Sequence, residues 1–276
     1  MTEPVDVVIV AYNSATHLEP CVAAVRAWGD CGRVIVVDNA SPDDSGVVAG
    51  RIADELVTAP TNRGFGAGQN LGAARVTTEF FLALNPDARV VAEGLDAGMR
   101  QLLVHDDVAA VEGLIRRSGD GELERSFGRA PGVADLVAHR FHLKDRLGED
   151  RLKAIAPALG LGYFSRRTPD APVVETPFLA AVAPLVRTEA FRAVRGFDEE
   201  YFLYAEDVDL CHRWWRAGWR LLALRTAWAT HAGSASTEGR RDVKDAEWWR
   251  GHRRLVRQHW TGPRRAIGLA LAAGQA

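Results

Sequence analysis

An acidic and aromatic stretch, FDEEYFLYAEDVDLCHRWWRAGWR, covers residues 197–220 of the sequence. Its carboxylates crowd together at Asp198, Glu199, Glu200, Glu206, Asp207 and Asp209. Such a group is either the solvated face of an amphipathic helix or an acid cluster built around a cation or a reacting hydroxyl. The first interpretation leaves the aromatic residues beside the acids unexplained, so the second remains open.

The same stretch predicts the start of a helix near Ala205. Asp209 and Arg213 then stand four positions apart on one helix face, where they can form an ion pair. Glu206 and Asp207 fall in the first turn, and the helix dipole stabilises negative charge there. The spacing therefore predicts an acid pair at a helix N-terminus.

A glycine-rich stretch, NRGFGAGQN, occupies residues 62–70 and suggests a phosphate-binding turn. A dinucleotide fingerprint follows the first strand of its fold, whereas these glycines follow the third predicted strand. The alternative is a glycine-rich helix start that packs tightly on a sheet. The sequence leaves a ligand-binding role and this packing role open.

Three further side chains have two interpretations each. Asp38 ends a predicted strand, where it could meet a nucleotide base or ribose, although its neighbours could equally cap the next helix. Asp87 in LNPDA is either a metal ligand or an ordinary turn residue. His231 in THAGSAS is either a ligand or a structural histidine.

The elements that position these residues alternate between strand and helix. VDVVIVAY and RVIVVDNAS are apolar runs of the kind found in strands buried on both faces, and each precedes a helical pattern, the first of them capped by Ser14. This order predicts parallel strands with right-handed crossovers. Ligands of such sheets bind beyond the carboxyl ends of the strands, so we expect the polar clusters at 12–13, 38–39, 62–70 and 85–87 to share one crevice.

The rest of the chain is less regular. From about residue 119 to 177 the sequence becomes rich in Arg, His and Gly, which indicates an insertion or a surface excursion. PFLAAVAPLVRTEAF then predicts a pair of apolar strands followed by a helix.

Composition limits the class of protein. The chain has 276 residues, is 47% hydrophobic and carries a formal charge of −2, which gives no general electrostatic reason to bind nucleic acid. The apolar run near the amino terminus is too short for a signal peptide or a membrane span. Three cysteines without metal-ligand spacing fit a reducing compartment, so we expect a cytoplasmic protein.

Five motifs in order resemble family 2 glycosyltransferases, and in particular their rhamnosyltransferase-like branch. They are VVIVAYN, VVDNAS, NRGFGAGQN, LNPDA and GFDEEYFLYAEDVDLCHRWWRAGW, followed by HAGSAS, and they extend over about residues 5–235. The resemblance implies the GT-A fold, with a Rossmann-like, mostly parallel central sheet flanked by helices. It also implies a glycosyltransferase domain at 1–235, an acceptor-side variable segment at 113–177, and a basic, aromatic helical extension at 236–276.

The resemblance also implies roles for individual residues. The nucleotide-sugar donor would contact Tyr12, Asn13, Asp38, Asn39, Asn62, Gly64, Gly66, Gly68, Asn70 and Asn85. NPD stands where the family has a metal-binding Asp-x-Asp, so Asp87, joined by His231, would bind Mg²⁺ or Mn²⁺. Asp207 would be the general base that deprotonates an acceptor hydroxyl, with Glu206 in support. The acid cluster is thereby interpreted as serving a reacting hydroxyl.

The expected activity is inverting transfer of a sugar from a pyrimidine nucleotide sugar, dTDP-rhamnose or a UDP-sugar, to a glycan, lipid-linked or small-molecule acceptor. The alternatives are a nucleotidyltransferase that makes the activated sugar and a non-catalytic nucleotide-sugar-binding protein. The carboxyl end, WWRGHRRLVRQHWTGPRR, predicts either contact with an anionic membrane, at the inner face of the plasma membrane, or a helix that closes the domain.

Overall fold

The computed structural model describes residues 4–124, 126–156, 158–159, 161, 171–233 and 241–273. The first elements alternate as the sequence predicts: β1 (Val5–Ala11), α1 (Ala15–Arg26), β2 (Cys31–Asp38), α2 (Ser45–Ile52), β3 (Glu55–Thr58), α3 (Phe65–Ala73), β4 (Phe80–Leu84), β5 (Ala88–Val90), α4 (Ala92–Val104) and β6 (Val108–Arg117). The later elements are α5 (Val133–Arg140), α6 (Leu143–Leu147), α7 (Glu149–Ile155), β7 (Val173–Glu175), β8 (Leu185–Arg187), α8 (Thr188–Ala193), α9 (Glu206–Arg216), β9 (Arg220–His231), α10 (Arg241–His259) and α11 (Gly262–Ala272).

These strands form one sheet with the order β3-β2-β1-β4-β8-β6-β9-β5, and β7 also pairs with β9. β1 lies parallel to β2 and β4, and β2 lies parallel to β3. β8 is antiparallel to both β4 and β6, whereas β6 and β9 are parallel. The part of the sheet built first along the chain is therefore parallel, and the part built later is mixed.

The central strands are apolar because helices cover both faces of the sheet. Every residue of β1 is buried. Val7 and Ile9 pack in one core with Leu18 of α1, while Val8 points to the opposite core, where it packs with Phe81. Burial of each such side chain contributes roughly 1.5–3 kcal/mol to the free energy of unfolding.

The turn between β1 and α1 is held by a different residue from the one the sequence predicts. Ser14 occupies the N-cap position, but its hydroxyl donates to the carbonyl oxygen of Tyr12 at 2.9 Å. The amide of Ala15 donates instead to Asp43 Oδ2, at 3.0 Å. A carboxylate from the loop after β2 thus ties the first two strand–helix turns together.

The middle of the chain differs from expectation in two places. The segment 113–177 begins inside β6 and ends after β7, so both of its ends contribute to the central sheet. The stretch 177–191 forms a single strand, β8, instead of the predicted pair, and α8 follows it. The amide of Ala183 donates to the carboxylate of Glu112 at 2.8 Å, and Leu179 makes only an isolated bridge to Phe127, so no second strand ladder develops.

The carboxyl-terminal helices pack on the body of the protein. Leu255 of α10 belongs to one of the two cores that flank the sheet. Trp248, Trp249 and Trp260 are buried in a cluster with Leu136 of α5. This packing agrees with a helix that closes the domain, and it makes the tryptophans unavailable to a bilayer. In the described part of the chain, no helix combines the length and apolar character needed to cross a membrane.

Candidate active site

Four polar clusters lie at the carboxyl ends of neighbouring strands, as predicted, and we call residues 12–13, 38–41, 62–64 and 85–87 the polar edge. The register of β1 on β2 places Ala11 beside Asp38, so the clusters that follow these two strands begin at the same edge of the sheet. The amide of Asn13 donates to the hydroxyl of Ser41 at 3.3 Å. The first two clusters are therefore in direct contact.

Asp38 combines one satisfied oxygen with one that remains available. Oδ1 accepts a hydrogen bond from the amide of Ser41 at 3.1 Å, which orients the carboxylate. Gly46 packs against Oδ2, and a Cβ at this position would lie only 2.9 Å from that oxygen. Within the described residues Oδ2 has no hydrogen-bond donor, so the carboxylate can accept one from a ligand.

Asn39 and Asn62 hold the backbone of the third cluster. The buried Asn39 donates from Nδ2 to Asn62 Oδ1 and to the Gly64 carbonyl oxygen, each at 3.0 Å. Asn62 Oδ1 also accepts from the amide of Gly64 at 2.9 Å. Gly64 has a φ of +90°, and the carbonyl of Phe202 occupies the place of a Cβ, so only glycine fits here.

The remaining glycines and Asn70 have packing roles in place of the predicted donor contacts. Gly68 lies against Val10 of β1, and Gly66 lies against Phe197. Asn70 donates to the Phe197 carbonyl at 2.9 Å and accepts from its amide at 2.9 Å, so the amide group is already fully used. The glycine-rich helix packed closely on the sheet, which was the alternative prediction, describes this region.

Asp87 and His231 meet although 144 positions of sequence separate them, because β5 is antiparallel to β9. His231 Nε2 lies 3.2 Å from Asp87 Oδ1, and its Nδ1 lies 2.7 Å from Glu124 Oε2. Asn85 Nδ2 lies 3.5 Å from Nε2. The structure thus unites the predicted metal-site residues and adds Glu124, whose only signal in the sequence is that it is a carboxylate in a loop.

The two carboxylates keep the imidazole of His231 charged. Burial lowers the pKa of His231, but hydrogen bonds to Asp87 and Glu124 and their negative charges raise it to about 10. For Asp87 the directions are reversed: burial raises its pKa, but the hydrogen bond and charge of His231 lower it below its ordinary value. The pair is therefore ionised at neutral pH.

The chemistry of this donor set fits a divalent cation shared with a diphosphate. Mg²⁺ is commonly held by one or two carboxylates together with substrate phosphates and water, and imidazole is an accepted ligand of transition metals. Asp87 supplies a carboxylate and His231 supplies an imidazole nitrogen beside it. Among the described residues no group of three or more His, Cys, Asp or Glu forms a complete protein cage. The phosphates would have to complete the coordination.

The acid segment, residues 197–209, leads into α9 as predicted. Tyr204 and Ala205 both have a φ of +69°, which turns the chain sharply before the helix begins at Glu206. Asp207 is half-buried, and its Oδ1 accepts from the amide of Val208 at 2.7 Å. It is therefore both fixed and accessible.

Glu206 is buried and has an oxygen, Oε2, without a hydrogen-bond partner in the described structure. Burial raises the pKa of Glu206 above its ordinary value, and the neighbouring charge of Asp207 raises it further. Glu206 therefore tends to hold a proton while Asp207 carries the charge. This division favours Asp207 as the base of the pair.

Cations neutralise the other acids of the segment. Asp209 contacts Arg213 at 2.7 Å, the predicted helix pair, and His259 at 2.7 Å. Three more contacts join the segment to α10 and to the polar edge: Arg254 with Asp198 at 2.8 Å, Gln258 with Asp198 at 3.0 Å, and Arg63 with Glu199 at 2.7 Å. Ion pairs therefore account for Asp198, Glu199 and Asp209 of the segment.

Glu112 joins the two chemical groups and was not predicted. It is fully buried in β6, where Oε2 has no hydrogen-bond partner in the described structure. Burial raises its pKa well above the ordinary value, and the charges of both Asp207 and His231 act on it. Asp207 lines a cavity with Ala83 and Ala181, and the neighbouring Val182 carbonyl accepts from the amide of Asn85 at 2.8 Å, so Asp207 lies near the polar edge. A lone glutamate within the apolar run VAAVEGLI was the signal that could have revealed Glu112.

Known proteins support this description. The family model "Glycosyl transferase family 2" matches residues 6–164. N-acetylglucosaminyl-diphospho-decaprenol L-rhamnosyltransferase of Mycobacterium tuberculosis is 28% identical over 259 residues, which cover 86% of this chain and 78% of the relative. Pre-mycofactocin glycosyltransferase of the same organism is 32% identical over 225 residues, covering 79% of this chain and 40% of the relative.

Solved structures agree on the fold. The mannosyltransferase PcManGT from Pyrobaculum calidifontis, in complex with GDP-Man and Mn²⁺, superposes with a TM-score of 0.61 at 17% identity, covering 100% of this chain and 72% of that one. S. aureus TarS 1-349 in complex with UDP-GlcNAc gives 0.62 at 13% identity, with 98% and 70% covered. The expected GT-A fold is confirmed. With more than half of its length matched by the family model, this chain belongs to glycosyl transferase family 2, as a rhamnosyltransferase-like glycosyltransferase.

Proposed function

We propose that this protein transfers rhamnose, with inversion at the anomeric carbon, from a pyrimidine nucleoside-diphosphate donor to an acceptor hydroxyl. The observation that carries the proposal is the position of Asp207, which lines one cavity with Ala83 and Ala181, beside the Val182 carbonyl that accepts from the amide of Asn85 at 2.8 Å. A carboxylate base and a diphosphate-binding pair therefore belong to one site. A single displacement needs this combination, because the acceptor loses a proton as the diphosphate departs.

The polar edge supplies the donor site in this proposal. Asp38 accepts a hydrogen bond from the pyrimidine base through its available oxygen, while Tyr12 and Asn13 contact the base and ribose. Asn39 and Asn62 shape the floor through their mutual hydrogen bond. Gly66, Gly68 and Asn70 are left out of the direct donor contacts because their neighbours in the protein already occupy them.

Asp87 and His231 would hold Mg²⁺ or Mn²⁺, with Asn85 beside them. When bound, such an ion supplies charge that neutralises the departing diphosphate. The residues themselves orient each other, since the imidazole is fixed between two carboxylates.

Asp207 accepts the proton of the acceptor hydroxyl. Its carboxylate is oriented by the amide of Val208, and its negative charge is preserved because the neighbouring Glu206 is the group that tends to stay protonated. Attack on the face opposite to the leaving diphosphate then inverts the anomeric configuration. Glu206 supports the geometry of the helix start and does not itself take the proton.

The names of two relatives suggest candidate acceptors. One is named for N-acetylglucosaminyl-diphospho-decaprenol and the other for pre-mycofactocin, so a lipid-linked and a small-molecule acceptor are both candidates. A lipid-linked acceptor would bring the protein to the cytoplasmic face of a membrane. The exposed arginines of α10 and α11, such as Arg257 and Arg265, would then make the contact, since the tryptophans are buried.

The proposal is tested by assaying released nucleoside diphosphate and the mass of the product. The parent protein is incubated with dTDP-rhamnose, UDP-sugars or GDP-mannose, each with a polyprenyl-diphosphate N-acetylglucosamine acceptor or a small-molecule acceptor. We expect dTDP-rhamnose to be consumed fastest and only when an acceptor is present. Equal use of pyrimidine and purine donors would refute base selection at Asp38.

Two alternatives make different predictions in the same assay. A nucleotidyltransferase would form a nucleotide sugar from a sugar phosphate and a nucleoside triphosphate, which a family 2 chain is not expected to do. A non-catalytic binding protein would be stabilised by the donor but would release no diphosphate. The oriented carboxylate of Asp207 and the pairing of Asp87 with His231 favour the transferase over a binding protein.

A further inference from the structure

A tight hairpin after β6 carries Glu124 to the metal-site histidine. The amide of Arg117 donates to the Glu122 carbonyl at 2.8 Å, and the amide of Glu124 donates to the Ile115 carbonyl at 2.8 Å. The amide of Ser118 donates to the carbonyl of His231 itself, at 2.9 Å. Backbone hydrogen bonds therefore fix the position of Glu124 relative to His231 on both sides of the turn.

The side chain of Glu124 completes this arrangement. Its Oε2 lies 2.7 Å from His231 Nδ1, and the opposite ring nitrogen, Nε2, lies 3.2 Å from Asp87 Oδ1. A carboxylate can only accept here, so Nδ1 carries the hydrogen that is donated to it. In the charged ring Nε2 likewise donates to Asp87. A metal ion would have to replace that proton, and because Glu124 keeps the hydrogen on Nδ1, the lone pair offered to the ion would then lie on Nε2, on the side of Asp87. Gly233 lies beside the other oxygen of Glu124: a Cβ at this position would be 3.4 Å from Oε1.

We propose that Glu124 is a positioning residue that orients His231 for metal binding, so that the hairpin after β6 forms part of the donor site. This inference rests on the proposed function, because it concerns the metal of the donor complex. A carboxylate that accepts from the second nitrogen of a metal-binding histidine fixes the ring and its tautomer, and loss of such a partner commonly weakens metal binding 10- to 100-fold. The hairpin lies in the segment 113–177, whose expected role was on the acceptor side.

The test measures binding of Mn²⁺ by the decrease of the free Mn²⁺ signal in electron paramagnetic resonance, with and without dTDP. The variants are Glu124→Ala, which removes the acceptor, and Glu124→Gln, which keeps the shape and one acceptor oxygen. Glu122→Ala is the matched control, since it removes a carboxylate from the same hairpin without touching His231. Thermal unfolding in EDTA verifies that each variant is folded.

In the presence of dTDP, we expect Glu124→Ala to bind Mn²⁺ at least tenfold more weakly than the parent and Glu124→Gln to lie in between. Glu122→Ala should stay within twofold of the parent. The affinity for dTDP in EDTA should not change in any of them. Excess Mn²⁺ should restore much of the donor turnover of Glu124→Ala, which a merely unfolded hairpin would not allow.

Mn²⁺ affinity equal to the parent's in Glu124→Ala would overturn the inference. If that variant does not fold, Glu124→Gln decides: a decrease of threefold or more supports the role, and no decrease overturns it. A parent protein that binds no Mn²⁺ with dTDP or UDP would overturn the inference together with the metal part of the proposed function. Sugar transfer by that same protein would still leave the transferase proposal in place.

Discussion

The polar edge and the acid segment hold their side chains in place by different means. Contacts within the first three clusters of the polar edge join nearby parts of the chain, such as Asp38 with Ser41, 3 positions apart, and Asn39 with Asn62, 23 positions apart. At the fourth cluster, Asp87 instead meets the distant His231. Contacts of the acid segment come from far away, as in Asn70 with Phe197, 127 positions apart. Strand ends position the first region, whereas separate helices clamp the second.

Helix α10 is distant from the acid segment in sequence but makes short contacts with it. Arg254 donates to Asp198 from both Nε and Nη2, at 3.1 and 2.8 Å. Gly251 lies against the carbonyl of Tyr204, where a larger side chain would collide with the turn that precedes Glu206. Residues far from any substrate can therefore change the position of the base. The polar edge should not respond to the same changes.

Asp207→Asn should produce the largest effect of any single change. It keeps the shape and the hydrogen bond to the Val208 amide but cannot accept the acceptor's proton, so turnover should fall about 100- to 10,000-fold. Donor affinity should stay within a few fold, since the polar edge is untouched. Rapid-quench assays and donor titrations measure the two quantities separately.

Glu200→Gln is the matched control because it removes a charge from the exposed face of the same segment. It should transfer sugar at close to the parent rate. Near-parental turnover by Asp207→Asn, or abolition of turnover only in Glu206→Gln, would mean that the base has been assigned to the wrong residue.

Asp38→Ala should have the opposite signature. Loss of a charge-assisted hydrogen bond to the base is worth about 1.5–3 kcal/mol, so the Kd for a pyrimidine donor should rise roughly 10- to 100-fold. Turnover at saturating donor should change much less. Asp44→Ala, which removes an exposed carboxylate from the same loop, is the control, and isothermal titration is the measurement. Unchanged affinity in Asp38→Ala would remove the base contact.

Arg254→Met tests the distant clamp. It keeps the aliphatic stem but removes both hydrogen bonds to Asp198, so we expect turnover to fall about tenfold and stability to fall by about 2 kcal/mol. Donor affinity should be unchanged. Arg257→Met, on an exposed position of the same helix, should behave as the parent. Equal losses of turnover and donor affinity in Arg254→Met would contradict the separation of the two regions.

The sequence was most informative where local pattern decides the structure. Continuous apolar runs predicted the strands that end at Asp38 and Leu84, and helical spacing predicted the start of α9 and the pair Asp209 and Arg213. These features depend on a few consecutive residues. Local pattern could not bring Asp87 and His231 together, because their contact depends on the antiparallel pairing of two strands distant in sequence. Only the family resemblance predicted it.

What the sequence could not predict depends on which surfaces meet in three dimensions. In sequence, a glycine that packs on a strand cannot be distinguished from one that makes room for a phosphate. The packing of Gly66 on Phe197 and of Gly68 on Val10 is visible only in the structure. Asn70 bonds to Phe197, which is likewise far away in the sequence. Arginines and tryptophans of α10 suggested a membrane face, but the tryptophans are buried and Arg254 binds Asp198.

The last effect concerns the pH dependence of the free energy of unfolding, which reports the charge of His231. Because the pKa of His231 is raised from 6.5 to about 10, the folded state keeps a proton that the unfolded state releases. This contribution is fully present below pH 6.5 and is lost as the pH rises through about 10. In EDTA, the advantage of the parent over His231→Gln in free energy of unfolding should therefore shrink as the pH rises through that range, by up to about 1.4 kcal/mol per pH unit.

Chemical denaturation at pH 6, 8 and 10 measures this difference. Arg254→Met provides the comparison, since its loss of stability should stay constant with pH while that of His231→Gln declines. A His231→Gln difference that is independent of pH would contradict the charged imidazole between Asp87 and Glu124.

The most direct test of the central claim is the anomeric configuration of the product. A donor held at the polar edge and a hydroxyl deprotonated by Asp207 react in a single displacement, so the new glycosidic bond should have the configuration opposite to that of the donor. Nuclear magnetic resonance of the product formed from dTDP-rhamnose measures the one-bond carbon–hydrogen coupling at the anomeric centre. Inverted configuration is the predicted result, and retained configuration would contradict the role of Asp207 as the base.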